Sequence, residues 1–238
     1  MAMIADNIQQ VRARIAQACA SAARPVRSVT LLTVSKTFGA DAVREAFAAG
    51  ERCFGENYVQ EGIDKIAALD DLRAQVEWHL IGPLQSNKTR VVAEHFDWVH
   101  SVDRLKIAQR LNEQRPTGLP PLNVCLQVNI SGEASKSGLR PDEVPAVAHG
   151  VAALPRLRLR GLMAIPEPAP TMQAQRAPHR ALHELLRSLQ AQGLALDTLS
   201  IGMSDDLEAA IAEGATIVRI GSAIFGRRPA VSPAATGS

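Results

Sequence analysis

Two periods alternate along the chain. Residues 29–36, Val-Thr-Leu-Leu-Thr-Val-Ser-Lys, are β-branched or aliphatic almost to their terminal lysine, and they predict a strand buried on both faces. Before them, Ile4, Ile8, Val11, Ile15, Ala18 and Cys19 recur at helical spacing, predicting an extra amino-terminal helix over 4–22 packed on the outside of the domain. After them, helices are predicted over 42–49, 57–69 and 87–95, and strands over 52–55, 76–81 and 98–102. Asp103 reads as the cap of a helix reaching residue 114, and a turn-rich connector leads into an apolar strand over 122–130. In the second half, Pro141 reads as a helix opening, 157–163 as a strand, and 166–170 as a stiff loop before a long helix to residue 192. A strand over 198–201, a helix over 205–212 capped by Ser204, and a strand over 216–220 complete the pattern.

Eight strands, each followed by a helix or a helical opening, predict an α/β protein built as a single (β/α)8 barrel, with a doubly wound open sheet as the competitor. No GxGxxG follows the first strand, so the dinucleotide-binding fingerprint of that competitor is missing. Residues 1–228 are expected to form one domain, and 229–238, rich in Pro, Ala and Ser, a disordered tail.

Composition narrows the partners. A net charge of +2, with both signs scattered, supplies no basic stripe for nucleic acid. Cys19, Cys53 and Cys125 show no CxxC spacing, which argues for reduced thiols and against a disulfide framework or a zinc site; a buried, inert thiol is the default for Cys53. No signal peptide opens the chain and no apolar run is long enough to span a membrane, so a cytoplasmic protein with no membrane association is expected.

The candidate chemistry lies where strands end. All loops that follow strands gather at one mouth of a barrel, so Lys36 at the end of strand one would meet the glycine-rich turns after strands seven and eight. A partly desolvated lysine deprotonates more easily than a surface one and can form a Schiff base with a carbonyl. Ile201-Gly202-Met203-Ser204-Asp205 and Ile220-Gly221-Ser222-Ala223 bring small residues and hydroxyls to helix openings that bind anions. Together these define a phosphorylated carbonyl ligand, either a sugar phosphate of an aldolase or pyridoxal 5'-phosphate. Arg219 alternates with Val218 and Ile220 and should point into the barrel, where a cofactor ring nitrogen or a carboxylate such as Glu213 or Asp205 would partner it.

These residues also carry a resemblance. Ser35-Lys36-Thr37, Phe54-Gly55-Glu56-Asn57-Tyr58, the stretch 78–88 around His79, Val99-His100-Ser101-Val102-Asp103, Gly161-Leu162-Met163, the stretch 199–205 and the stretch 219–226 are similar, in order, to the motifs of the YggS/PROSC family of pyridoxal phosphate homeostasis proteins. The resemblance covers about residues 4–228. It implies a barrel of the alanine racemase amino-terminal type (fold type III of pyridoxal phosphate proteins), with the cofactor on Lys36. It further implies Ser204, Gly221 and Ser222 at the phosphate, Arg219 at the pyridine nitrogen, and Asn57, His79 and Met163 lining the pocket. Ser222 departs from the threonine more usual in the family, but keeps the hydroxyl.

An arginine beside the ring nitrogen keeps its own proton, so the pyridine stays a weak electron sink. Tyr58 is the only tyrosine, and it lies on an early helix, which leaves His79 and His100 as the remaining candidates for a second base. The reading is therefore a carrier that buffers pyridoxal phosphate and passes it to apoenzymes, with no catalytic residues and no metal; the alternative is a weak amino-acid racemase. A monomer is expected, and Lys136, in the loop after strand five, is expected to steer the cofactor during exchange.

Overall fold

The computed structural model describes residues 2–132 and 137–226. Its strands are β1 (Thr30–Val34), β2 (Cys53–Glu56), β3 (Glu77–Leu80), β4 (Trp98–Val102), β5 (Leu122–Gln127), β6 (Leu157–Met163), β7 (Thr198–Ser200) and β8 (Ile217–Ile220). They form a closed barrel in chain order, parallel throughout, with β8 pairing back on β1. The helices are α1 (Ala2–Ser21), α2 (Ala40–Ala48), α3 (Val59–Ala68), α4 (Thr89–His95), α5 (Leu105–Gln114), α6 (Val144–Ala152), α7 (Met172–Ala191), α8 (Leu207–Ala212) and the single turn α9 (Ser222–Phe225). Among the described residues, no helix is long and apolar enough to cross a membrane.

Closure explains why the first strand is apolar on both faces. In β1, Leu31 joins the layer between strands and helices, while Leu32 and Val34 join a separate cluster inside the barrel with Ile81, Trp98, Cys125, Met163 and Ile217. Arg219 stands opposite Leu32 in the β1–β8 register. The period of two that turns Leu32 and Val34 inward carries on to Lys36, two residues past Val34. Helix α1 buries Ile8, Val11, Ile15 and Cys19. It is tied to the end of the barrel sequence: Asn7 Nδ2 donates to Ile224 O at 2.8 Å, and Arg14 donates to both Glu208 and Ser204 O.

Four local expectations are corrected. Helix α8 starts at Leu207 with Asp206 as its cap residue, so Ser204 is not an N-cap. The Asp206 carboxylate reaches back instead to accept the Met203 N–H at 2.6 Å and His179 Nε2 at 2.9 Å, which shapes residues 202–205 into a loop. Asp103 does not cap α5; it accepts from the neighbouring Arg104 side chain, and the helix begins at Leu105. Pro141 lies in a turn ahead of α6, because the Glu143 carboxylate accepts the Arg140 N–H and delays the helix to Val144. Strand β5 stops at Gln127 rather than 130, where the chain folds back and Leu139 N–H donates to Gln127 O. The expectations for Lys136 and for the 229–238 tail lie outside the described residues.

Two substitutions test this frame. A Cβ on Gly161 would stand 1.8 Å from the carbonyl oxygen of Thr198, its partner residue on β7, so no side-chain adjustment relieves it. Gly161→Ala is expected to lower unfolding free energy by more than about 3 kcal/mol in urea denaturation. Burial works against the charge on Asp206, yet the bonds from His179 and the Met203 amide outweigh it and hold the carboxyl below its usual value. A depressed carboxyl contributes stability that is present above the unfolded value near about 4 and lost as pH falls through the folded one. The wild-type minus Asp206→Asn stability difference should therefore shrink by up to about 1.4 kcal/mol per pH unit below about pH 4.

Candidate functional site

A cavity of about 670 Å3 opens at the carboxyl end of the strands, within the size range of small-molecule sites. Lys36, Asn57, Ser204, Arg219, Gly221 and Ser222 line it, brought together from the ends of β1, β2, β7 and β8. Val34, Phe38 and Ile81 supply apolar wall, and the exposed side chains of Ile165 and Met203 stand at its rim.

The Lys36 turn rests on a buried ion cluster. Lys65 of α3, 5% exposed, donates from Nζ to Ser35 O at 2.7 Å, to Glu56 Oε1 at 2.8 Å and to Glu61 Oε1 at 2.7 Å. Ser35 Oγ donates to the same Glu56 oxygen at 2.5 Å, and Glu61 Oε1 accepts the Thr37 N–H at 2.5 Å. Both residues flanking Lys36 are thus pinned. Thr37 adopts φ +68, a left-handed conformation that a β-branched residue reaches only when its surroundings impose it. Burial pushes the Glu56 carboxyl up, and Lys65 and Ser35 offset part of that rise.

Arg219 projects into the barrel, as alternation along β8 requires. It is 5% exposed and meets no carboxylate within ion-pair distance among the described residues; Glu213 is held instead by Arg176 and Arg180. Its partners are carbonyl and hydroxyl oxygens. Nη1 donates to Ser200 O and, at 3.0 Å, to Ser200 Oγ, while Nη2 donates to Ala164 O at 2.9 Å. Burial brings the guanidinium down to about 10, which still leaves it cationic at neutral pH.

His79 and Met163 do not line the cavity. Met163 belongs to the apolar cluster that fills the barrel beneath it, and His79 stacks on Trp98 with ring centroids 5.2 Å apart. His79 Nδ1 lies 2.9 Å from His100 Nε2, and His100 Nδ1 lies 2.8 Å from Ser200 Oγ, so both histidines form a column under Arg219. Burial depresses both imidazoles, His100 the more strongly. The Lys65 cluster escaped the sequence reading. Its one local signal is the Glu61–Lys65 spacing of four on α3, which an ordinary surface pair also shows.

A phosphorylated pyridine aldehyde fits this donor set. An amine, two hydroxyls and a fixed cation surround one space, and Asn57 Oδ1 is buried there with no hydrogen-bond partner, an atom a ligand donor would satisfy. The model of the alanine racemase N-terminal domain family matches residues 2–229. A pyridoxal phosphate homeostasis protein of Pseudomonas aeruginosa is 64% identical, over 98% of this chain and all of its own. That of Escherichia coli is 57% identical, over 94% of this chain and 97% of its own. The structure of PipY from Synechococcus elongatus with pyridoxal phosphate bound superposes with a TM-score of 0.82 at 39% identity, covering 94% of this chain and 100% of PipY. Alanine racemase from Corynebacterium glutamicum, at 18% identity and TM-score 0.68, shares the fold. The chain belongs to the alanine racemase N-terminal domain family and, within it, to the YggS/PROSC group of pyridoxal phosphate homeostasis proteins.

Proposed function

We propose that the chain holds pyridoxal 5'-phosphate in this cavity with Lys36 as its Schiff-base anchor, and that it buffers the cofactor and delivers it to apoenzymes rather than turning over a substrate. One observation carries the reading: Lys36, Arg219 and the loops bearing Ser204 and Ser222 meet around a single cavity. When bound, the cofactor supplies an aldehyde that condenses reversibly with an amine and a ring that can withdraw electrons. Ser204, Ser222 and the Gly221 backbone would hold the phosphate, and Asn57 would use its unsatisfied oxygen.

The protein's own groups favour storage over chemistry. Arg219 can only donate to a ring nitrogen, which keeps that nitrogen unprotonated and the ring a weak electron sink. His79 is buried below the cavity floor, and Tyr58 is not among the lining residues, so neither stands at the position of a second base. Lys36 sits on a turn pinned from both sides, which fixes the point from which its side chain enters the cavity without closing the mouth.

Purified protein should be yellow, and borohydride reduction followed by peptide mass mapping should place a pyridoxyl phosphate adduct on Lys36. Lys36→Ala should lose both colour and adduct while keeping its circular dichroism; an adduct on another lysine, or none with excess cofactor, would overturn the anchor. Lys65→Met leaves two carboxylates without their cation, and should cost about 3–5 kcal/mol in unfolding free energy and lower cofactor occupancy in the yellow band. Unchanged occupancy would show that the Lys36 turn holds its geometry without the cluster.

A further inference from the structure

At the other end of the barrel a second group of side chains converges. Cys53 and Glu77 face each other as the first residues of β2 and β3, and His79 lies two residues further along β3 on the same face as Glu77. Cys53 Sγ is 3.9 Å from Glu77 Oε2, His79 Nε2 is 3.6 Å from the same oxygen, and the three ligand atoms all lie within 4.8 Å of one another. His79 is 1% exposed and its Nε2 has no partner at hydrogen-bond distance, the nearby Glu77 oxygen standing 3.6 Å off, so a buried nitrogen is aimed into the group and left unsatisfied. We propose that Cys53, Glu77 and His79 form a three-ligand site for a divalent ion of the zinc type.

The chemistry and dimensions agree. Thiolate, imidazole and carboxylate are the donors zinc selects, at about 2.3, 2.0 and 2.0–2.2 Å. Tetrahedral angles between such bonds put the donor atoms about 3.3–3.6 Å apart. The two separations to Glu77 need only a small contraction, which its 59% exposed side chain has room to supply, while Cys53 Sγ and His79 Nε2, within 4.8 Å of each other, close by rotation of the half-buried Cys53 side chain. That exposure also leaves solvent access for a water as fourth ligand. The outer shell is in place: a metal-bound imidazole donates through its other nitrogen, and His79 Nδ1 already lies 2.9 Å from His100 Nε2. Arg160, a cation whose field reaches Glu77, stacks over Trp98 and is bound to Asp197 at 2.8 Å, which limits its repulsion. With the site empty, burial and then the charges of Glu77 and Glu51 push the Cys53 thiol up to about 12; a dication among the three atoms reverses that field. Missing CxxC spacing excludes a contiguous zinc motif, not a site that strand register assembles.

The full chain, stripped with a chelator, would be dialysed against zinc alone, with cobalt(II) as spectroscopic probe of the cofactor-free protein. The expected result is one ion per chain and a cobalt spectrum with thiolate charge-transfer absorption. Cys53→Ala should abolish that absorption and weaken zinc binding by about tenfold or more, whereas Cys125→Ala, which removes another buried thiol of the barrel interior, and Lys36→Ala should change neither. Glu77→Gln, at an exposed side chain, gives the same test should Cys53→Ala fold poorly. Absence of stoichiometric binding overturns the site, as does binding that survives both Cys53→Ala and Glu77→Gln, or charge transfer that persists without Cys53.

Discussion

The geometry of the cofactor mouth depends on one buried ammonium. Lys65 takes three oxygens from three places in the chain: the carbonyl just past β1, the carboxylate that ends β2, and a carboxylate one turn earlier on its own helix. A charge at 5% exposure is tolerated only when its donors are satisfied, and here all three are. The result is mechanical as well as electrostatic. Through Glu61 the cluster also grips the Thr37 amide, so the backbone on either side of Lys36 is fixed while its side chain reaches the cavity. Holding Thr37 at φ +68 costs energy that the cluster offsets.

Arg219 is the complementary case, a buried cation with no carboxylate beside it. Its charge is solvated by the carbonyls of Ser200 and Ala164, two oxygens that the ends of β7 and β6 leave exposed to the barrel interior. Carbonyl dipoles stabilise the guanidinium without neutralising it. A ligand atom beside Arg219 therefore meets a positive charge and N–H donors, not a carboxyl group that could pass it a proton. The distinction separates a site that binds a pyridine ring from one that activates it.

Most of the barrel was legible because parallel strands buried on both faces leave largely apolar runs, as in β1, although polar residues interrupt the runs of β2, β3, β6 and β8. The loops proposed to hold the phosphate were legible because glycine and serine recur together at the ends of the last two strands. Capping was misread at Ser204 and Asp103, where a neighbouring acidic or basic side chain competes for the same backbone groups, a contest the one-dimensional pattern does not display. His79 and Met163 were assigned to the pocket wall, yet they lie one layer beneath it, since alternation says which way a side chain points and not how deep it sits. The Lys65 cluster and the Cys53–Glu77–His79 group were invisible for a shared reason. Each joins residues from separate elements, and only the register Cys53 to Glu77 and Gly55 to His79 brings the latter together.

The same register links the two ends of the barrel. From His79 the column passes through His100 to Ser200 Oγ, which also accepts from Arg219. Every member has one proton to place, so the direction of the chain is set at its ends. An ion on His79 Nε2 requires a lone pair there, which sends the Nδ1 proton toward His100 and the His100 proton toward Ser200. With no ion, the column can run in reverse, Ser200 donating to His100 and His79 carrying its proton on Nε2 toward Glu77, 3.6 Å away. The Ser200 hydroxyl that contacts Arg219 then differs in what it can accept. An ion at the proposed site would thus bear, through tautomers and without movement of the backbone, on the hydrogen bonding of the arginine at the other end of the column.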